Sequence, residues 1–169
     1  HIGIYAFNCI EWLEIMLGTY KLCAIPININ YRYVEEELKY LIDNADVEAI
    51  FYQKQFSTKI NNIKDDLPLL KDFVCINDGT DGGDIVENNL DFEGLIANES
   101  ESRLTVERSG DDQYILYTGG TTGMPKGVVW RMEDVLMTLG GGIDAVTGEK
   151  YPTPEAFADK CLQDQTVAL

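Results

Sequence analysis

Positive charge is scarce in this sequence: its 169 residues carry 13 Lys and Arg against 29 Asp and Glu, for a formal net charge of −16. A field of that sign repels nucleic acid and anionic lipid surfaces, so general nucleic-acid binding is excluded and any polyanion site has to be local. The bulk of the acid is read as solubilising surface. Histidine is almost absent, with His1 the single one, and the four cysteines, Cys9, Cys23, Cys75 and Cys161, stand far apart with no Cys-x-x-Cys pair. Neither a zinc site nor a Cys/His nucleophile pair has the residues it needs. Free thiols in a reducing compartment are the default, and the expected location is the cytoplasm. Long hydrophobic runs are missing too. No stretch approaches the roughly 20 apolar residues of a spanning helix, and no basic segment with a small-residue cleavage site opens the chain.

What is present is 45% hydrophobic residues, enough for a core of its own. The chain opens on His1 in place of an initiator Met and stops at Leu169 a few residues past a plausible helix, so it is expected to be a piece of a longer one. Between the ends, helical and extended patterns alternate. Glu11 to Cys23 places Trp12, Ile15, Met16, Tyr20 and Cys23 near helical spacing, and Ala24 to Ile29 follows as a short strand. Val34 to Ala45 repeats the pattern, with Leu38, Leu41 and Ile42 on one stripe and Glu35 to Glu37 in the first turn, where the helix dipole favours acid. Val47 to Tyr52 is the next strand. Ser57 caps a helix to about Asp66, Pro68 ends it, and Phe73 to Ile76 is extended. Asn77 to Asn89 is a polar surface excursion, and Phe92 to Ala97 a short helix. The alternation predicts an α/β fold.

After the polar stretch Asn98 to Asp112 the chain turns apolar at Tyr114 to Tyr117, which predicts a strand. Nine residues follow, Gly119 to Gly127, with four glycines, two adjacent threonines, one lysine and no carboxylate. Val128 to Trp130 is the next strand, Glu133 to Leu139 a helix ended by Gly140 to Gly142, and Pro152 to Gln165 another, with Thr153 as its cap. A loop that grips a triphosphate has to bring backbone N–H groups close to its oxygens, and side chains there would block the approach. Thr118, Thr121 and Thr122 add hydroxyls, and Lys126 adds a compact cation. Lys126 follows Pro125, and no Gly-x-Gly-x-x-Gly runs through Gly119, Gly120 and Gly123, so neither common nucleotide loop fits. On residue chemistry alone, a ligand-free hairpin tip accounts for the segment equally well.

The wording of the segment, LYTGGTTGMPKGVVW from Leu116 to Trp130, resembles the phosphate-loop signature of the adenylate-forming superfamily, which includes acyl-CoA synthetases, firefly luciferase and the adenylation domains of peptide synthetases. Nine specified positions coincide by chance on the order of 10⁻¹⁰ per starting point. IGIYAFNCIEWLEIMLGTYKLCAIPININYRYVEEELKYLIDNA resembles the family's early segment, and the run GGTTGMPKGVVWRMEDV is most similar to a bacterial group of fatty-acyl-CoA synthetases. The likeness weakens between Asp78 and Ser109. It implies part of the N-terminal domain of the adenylate-forming fold, with residues 1–169 an incomplete AMP-binding domain and the lysine-bearing C-terminal domain beyond Leu169. It also implies a two-step reaction. A carboxylate, expected to be a fatty acid, attacks the α-phosphorus of Mg-ATP to give an acyl-adenylate and pyrophosphate, and the thiol of CoA then displaces AMP. The cofactors implied are ATP, Mg2+ and CoA. By position, Thr118, Gly119, Gly120, Thr121, Thr122 and Gly123 hold the β- and γ-phosphates, with Lys126 near the leaving pyrophosphate, where stabilising the departing charge is a large catalytic term.

Two departures stand out. Gly119 occupies a position where many members have Ser, which removes a hydroxyl and keeps the amide. Met132 falls where many synthetases carry His. Amino-acid adenylation for peptide synthesis and a non-catalytic nucleotide-binding module stay as alternatives. Tyr5, Trp12, Tyr20, Tyr31, Tyr33 and Tyr40 are read as packing residues, Asp111 and Asp112 as exposed acids, and Cys161 as unreactive. Trp130 is placed under the sheet, with a wall of the acyl pocket as its functional alternative. An incomplete sheet should leave apolar faces uncovered, so the isolated piece is expected to be marginally stable or to associate.

Because the family's adenine, ribose and magnesium ligands and its catalytic Lys are expected beyond Leu169, the 169 residues alone should form no acyl-adenylate. ATP–pyrophosphate exchange with a fatty acid measures this, and exchange at the rate of a full-length relative would refute it.

Overall fold

A computed structural model of the chain describes residues 1–119, 123–144 and 147–164. Its strands are β1 (Ile2–Tyr5), β2 (Pro26–Asn28), β3 (Ala49–Gln53), β4 (Asp72–Ile76), β5 (Leu90–Asp91), β6 (Gln113–Thr118) and β7 (Lys126–Arg131). The helices are α1 (Ile10–Lys21), α2 (Glu35–Asn44), α3 (Ser57–Ile63), α4 (Phe92–Ile96), α5 (Met132–Thr138) and α6 (Pro154–Asp164). The strands make one sheet in the order β5-β4-β3-β1-β2-β6-β7. Every neighbouring pair is parallel except β6 and β7, which form an antiparallel hairpin.

Parallel strands joined through helices have both faces covered, and side-chain alternation divides the core in two. On one face Tyr5, Ile27, Ile50, Tyr52 and Cys75 pack with Leu38, Leu41 and Ile42 of α2 and Ile60 and Ile63 of α3. On the other, Ile4, Val74 and Ile76 pack with Ile15 and Met16 of α1 and Phe92 of α4. The chain thus crosses from β1 to β2 behind α1, then returns over β1 to β3 behind α2 on the opposite face. Gly3 in β1 has no room for more, since a Cβ there would meet Ile29 Cδ1 and Val47 Cγ1 at 3.1 Å.

Helix ends follow local chemistry. Cys9 caps α1 by accepting from the Trp12 amide at 3.4 Å, and the Glu37 carboxylate accepts from the Val34 N–H at 3.2 Å at the start of α2. The residues just past α1 and α2, Cys23 (φ 57) and Asp46 (φ 48), are left-handed, the conformation that turns a chain off a helix and that usually selects Gly. Thr153 caps α6 through the Ala156 amide at 3.2 Å, and Gln165, its expected last residue, lies outside the described residues. Ser57 is not a cap: it is the first residue of α3, and its hydroxyl donates back to the Lys54 carbonyl at 2.6 Å. The helix gives way at Lys64 to a 3-10 turn, Lys64–Asp66.

Two strands went unmarked in the sequence pattern. One is β1, at the centre of the sheet. The other is β5, two residues long, which precedes α4. The segment 77–89 does run over the surface, but it drops Val86 into the first core and is tied back by Asp78, whose carboxylate accepts from the Gln55 amide at 3.1 Å. Apolar side chains remain uncovered at Ile10, Leu13 and Leu17 of α1 and at Val128 and Val129 of β7. Among the described residues no helix is long and apolar enough to cross a membrane.

Leu41 is fully buried while Leu13 is about half exposed. Leu41→Ala is expected to lower stability by about 2–5 kcal/mol and Leu13→Ala by about 0.5 kcal/mol or less, read from urea unfolding midpoints.

Candidate functional site

The hairpin of β6 and β7 carries the glycine-rich loop at its tip. Its register pairs Ile115 with Val129, Tyr117 with Gly127 and, as the last rung, Thr118 with Lys126. On its other side β6 lies parallel to β2, with Ile115 opposite Ile27. Thr118 therefore leaves the sheet at the edge where β1, β2, β3 and β4 also end. In open α/β sheets that carboxyl edge is where ligands bind.

Of the residues expected to hold phosphate, Thr118, Gly119, Gly123 and Lys126 are all exposed at this edge. Thr118 and Lys126 face each other across the ladder, which puts a hydroxyl and an ammonium on either side of the loop's mouth. Gly120, Thr121 and Thr122 lie outside the described residues. Among the described residues, a Cβ built at Gly119 or Gly123 would meet nothing within 4 Å, so no described neighbour crowds either position.

Lys126 and Gly127 belong to β7 rather than to the loop. Packing explains Gly127, because a Cβ there would meet Cε2 and Cζ of Tyr117 at 3.1 Å and Ile115 Cγ2 at 3.2 Å. The Tyr117 hydroxyl donates to Asn44 Oδ1, at the end of α2, at 2.8 Å. Burial pushes the Tyr117 phenol above its ordinary pKa, with Tyr40 and Asp46 adding to the shift, so the hydroxyl stays a donor at neutral pH. Neither residue stood out in the sequence as more than part of the motif. The signal for Tyr117 would have been strand alternation, which puts it with Ile115 on the face that meets α2.

Charges sort themselves along β7. Arg131, at the far end, is held by Asp111 at 2.7 Å, Glu133 at 3.2 Å and Asp134 at 3.4 Å. Asp111 is the largest influence raising its pKa. Asp111 is thereby accounted for as an ion-pair partner. Among the described residues no carboxylate pairs with Lys126, which leaves it the cation of this hairpin not already neutralised. Trp130 is not packed under the sheet; it lies on the exposed edge strand opposite Tyr114. Met132 starts α5 and lines a cavity of about 260 Å3 with Leu17, Tyr20, Cys23 and Arg108. That cavity opens at the start of β2 and β6, the edge opposite the loop. No three His, Cys, Asp or Glu side chains gather into a metal site among the described residues.

A predominantly parallel sheet with helices on both faces, and a glycine-bearing hairpin at its carboxyl edge, is the open α/β class of architecture. The chain belongs to the AMP-binding enzyme family, whose model matches residues 1–160. It is 49% identical over 148 residues to the 3-oxocholest-4-en-26-oate–CoA ligase of Rhodococcus rhodochrous, covering 88% of this chain and 27% of that protein. It is 47% identical over 152 residues to the medium/long-chain-fatty-acid–CoA/3-oxocholest-4-en-26-oate–CoA ligase of Mycobacterium marinum, covering 88% and 28%. Among solved structures it resembles the anthranilate CoA ligase AuaEII in complex with anthranoyl-AMP, with a TM-score of 0.73 and 25% identity over 84% of this chain and 27% of that one. The chain thus spans a little over a quarter of the length of the curated relatives it matches.

Proposed function

We propose that this chain is the N-terminal part of the AMP-binding domain of an acyl-CoA ligase, and that the loop from Thr118 to Gly123, with Lys126, grips the β- and γ-phosphates of ATP. The observation that carries this reading is the hairpin itself. It sets a threonine and a lysine opposite each other at the carboxyl edge, the lysine with no carboxylate partner among the described residues, on either side of a loop whose described glycines meet no described neighbour.

In the reaction so assigned, a carboxylate oxygen attacks the α-phosphorus of ATP, the bond from that phosphorus to the bridging oxygen breaks, and pyrophosphate leaves. The CoA thiol then attacks the acyl carbon and AMP leaves with the electron pair of the C–O bond. Backbone N–H groups of the loop and the Lys126 ammonium meet the charge that grows on pyrophosphate. Donors fixed in place before the reaction are worth more than water, which has to reorganise. Mg2+ supplies further neutralisation of the triphosphate when bound, and its protein ligands are assigned to the part of the enzyme beyond this segment. The acid is one with a large apolar body, a fatty acid in the first instance, in line with the names of the two relatives. The widely spaced, unpaired cysteines suit a reducing cytoplasm.

In the complete ligase, Lys126→Ala is expected to lower kcat/KM for ATP by about 10²-fold or more, as loss of a single charge-stabilising donor does elsewhere. Lys39→Ala, which removes an exposed partner of Asp66, should leave it unchanged. Initial rates with ATP varied at saturating acid and CoA give the comparison. Equal behaviour of the two variants would remove the loop from the mechanism.

A further inference from the structure

We propose that Tyr117 is a positioning residue for the phosphate-binding hairpin, tying its loop end to α2 through Asn44 while its ring covers the bare backbone of Gly127. This rests on the reading of the loop given above.

The far end of the hairpin is anchored several times. The Met132 amide donates to the Asp112 carbonyl at 2.8 Å and the Glu133 amide to the Gly110 carbonyl at 3.1 Å, and Arg131 pairs with Asp111. Among the described residues, the loop end shows no backbone ties or ion pairs of this kind. β7 is an edge strand with all six residues exposed. One rung below the mouth, the residue facing Tyr117 is Gly127, which contributes no side chain and weakens a strand. An aromatic ring laid over a glycine across an antiparallel pair restores what that rung lacks. Tyr117 does this with its ring against the Gly127 Cα, so closely that even a methyl there would be crowded.

The same ring packs partly buried against the core built on α2 and α3, and its hydroxyl reaches Asn44. One side chain therefore joins three parts: the strand leading into the loop, the strand leading out, and a helix seated in the core. Thr118 and Lys126 are the next residues on either strand, so the position of their functional groups relative to the sheet is set by this rung. A loop already held in its binding geometry loses less freedom when nucleotide arrives.

The test is made in the complete ligase, with KM for ATP, KM for the acid, kcat and thermal midpoint measured for each variant. Tyr117→Phe and Asn44→Ala each remove the same hydrogen bond, so each should raise the ATP KM about threefold. The double variant should be no worse than either alone, because the two groups act as a pair. Tyr117→Ala, which loses the ring as well, should raise it about tenfold or more. In all of them the KM for the acid should stay within about twofold and kcat at saturating ATP should fall far less than the ATP KM rises. An unchanged ATP KM in the folded Phe and Asn44→Ala variants overturns the proposal, as does additive behaviour of the pair or an equal rise in both KM values. Lys126→Ala run alongside separates the two ideas: if it weakens ATP while the Tyr117 series does not, the tether fails and the phosphate loop stands.

Discussion

A parallel sheet exposes apolar side chains on both faces and is stable only when both are covered. Here that requirement organises the chain. Tyr5, Ile50 and Tyr52 point to one side with α2 and α3, while Ile4, Val74 and Ile76 point to the other with α1 and α4. The crossover helices have to take opposite faces, and the strand order reverses around β1 as a result. Each strand that runs parallel in this way ends on the same edge, so loops far apart in the chain gather along one rim.

The rim is where the glycine-rich loop stands, and its chemistry follows from what surrounds it. In a chain of net charge −16, an anion can be met only where acid is locally absent. The hairpin meets this condition by dividing its cations. Arg131 is surrounded by Asp111, Glu133 and Asp134 at one end, and at the other Lys126 has no carboxylate partner among the described residues. The antiparallel turn of β7 against β6 places that lysine across from Thr118, which the parallel connections used elsewhere in the sheet would not do.

Much of this was legible in the residues, and the gaps have identifiable causes. The amphipathic stripes of α1 and α2 marked both helices to within a residue or two, and the switch from polar to apolar at Tyr114 marked β6. The central strand β1 escaped notice because IGIY is a four-residue apolar run with no alternation or turn signal before it, and such a run is ambiguous by periodicity. Ser57 had the right chemistry for a cap and was used instead to bond back to Lys54. The ends of α1 and α2 carry Cys23 and Asp46 in the left-handed region, where sequence rules look for glycine. Trp130 was expected under the sheet, but its place on the edge strand β7 leaves it 38% exposed.

By itself, the sequence determined that helices and strands alternate, that the net charge is strongly negative, and that the carboxylate-free, glycine-rich stretch from Gly119 to Gly127 is flanked by apolar, strand-forming residues. Those are local properties, carried by periodicity, charge and composition. Only the tertiary structure decided that the stretch opens at the carboxyl edge, that Lys126 faces Thr118, and that Gly127 packs against the ring of Tyr117. Each of these depends on which strand pairs with which and in what register, and register is settled by packing between residues distant along the chain.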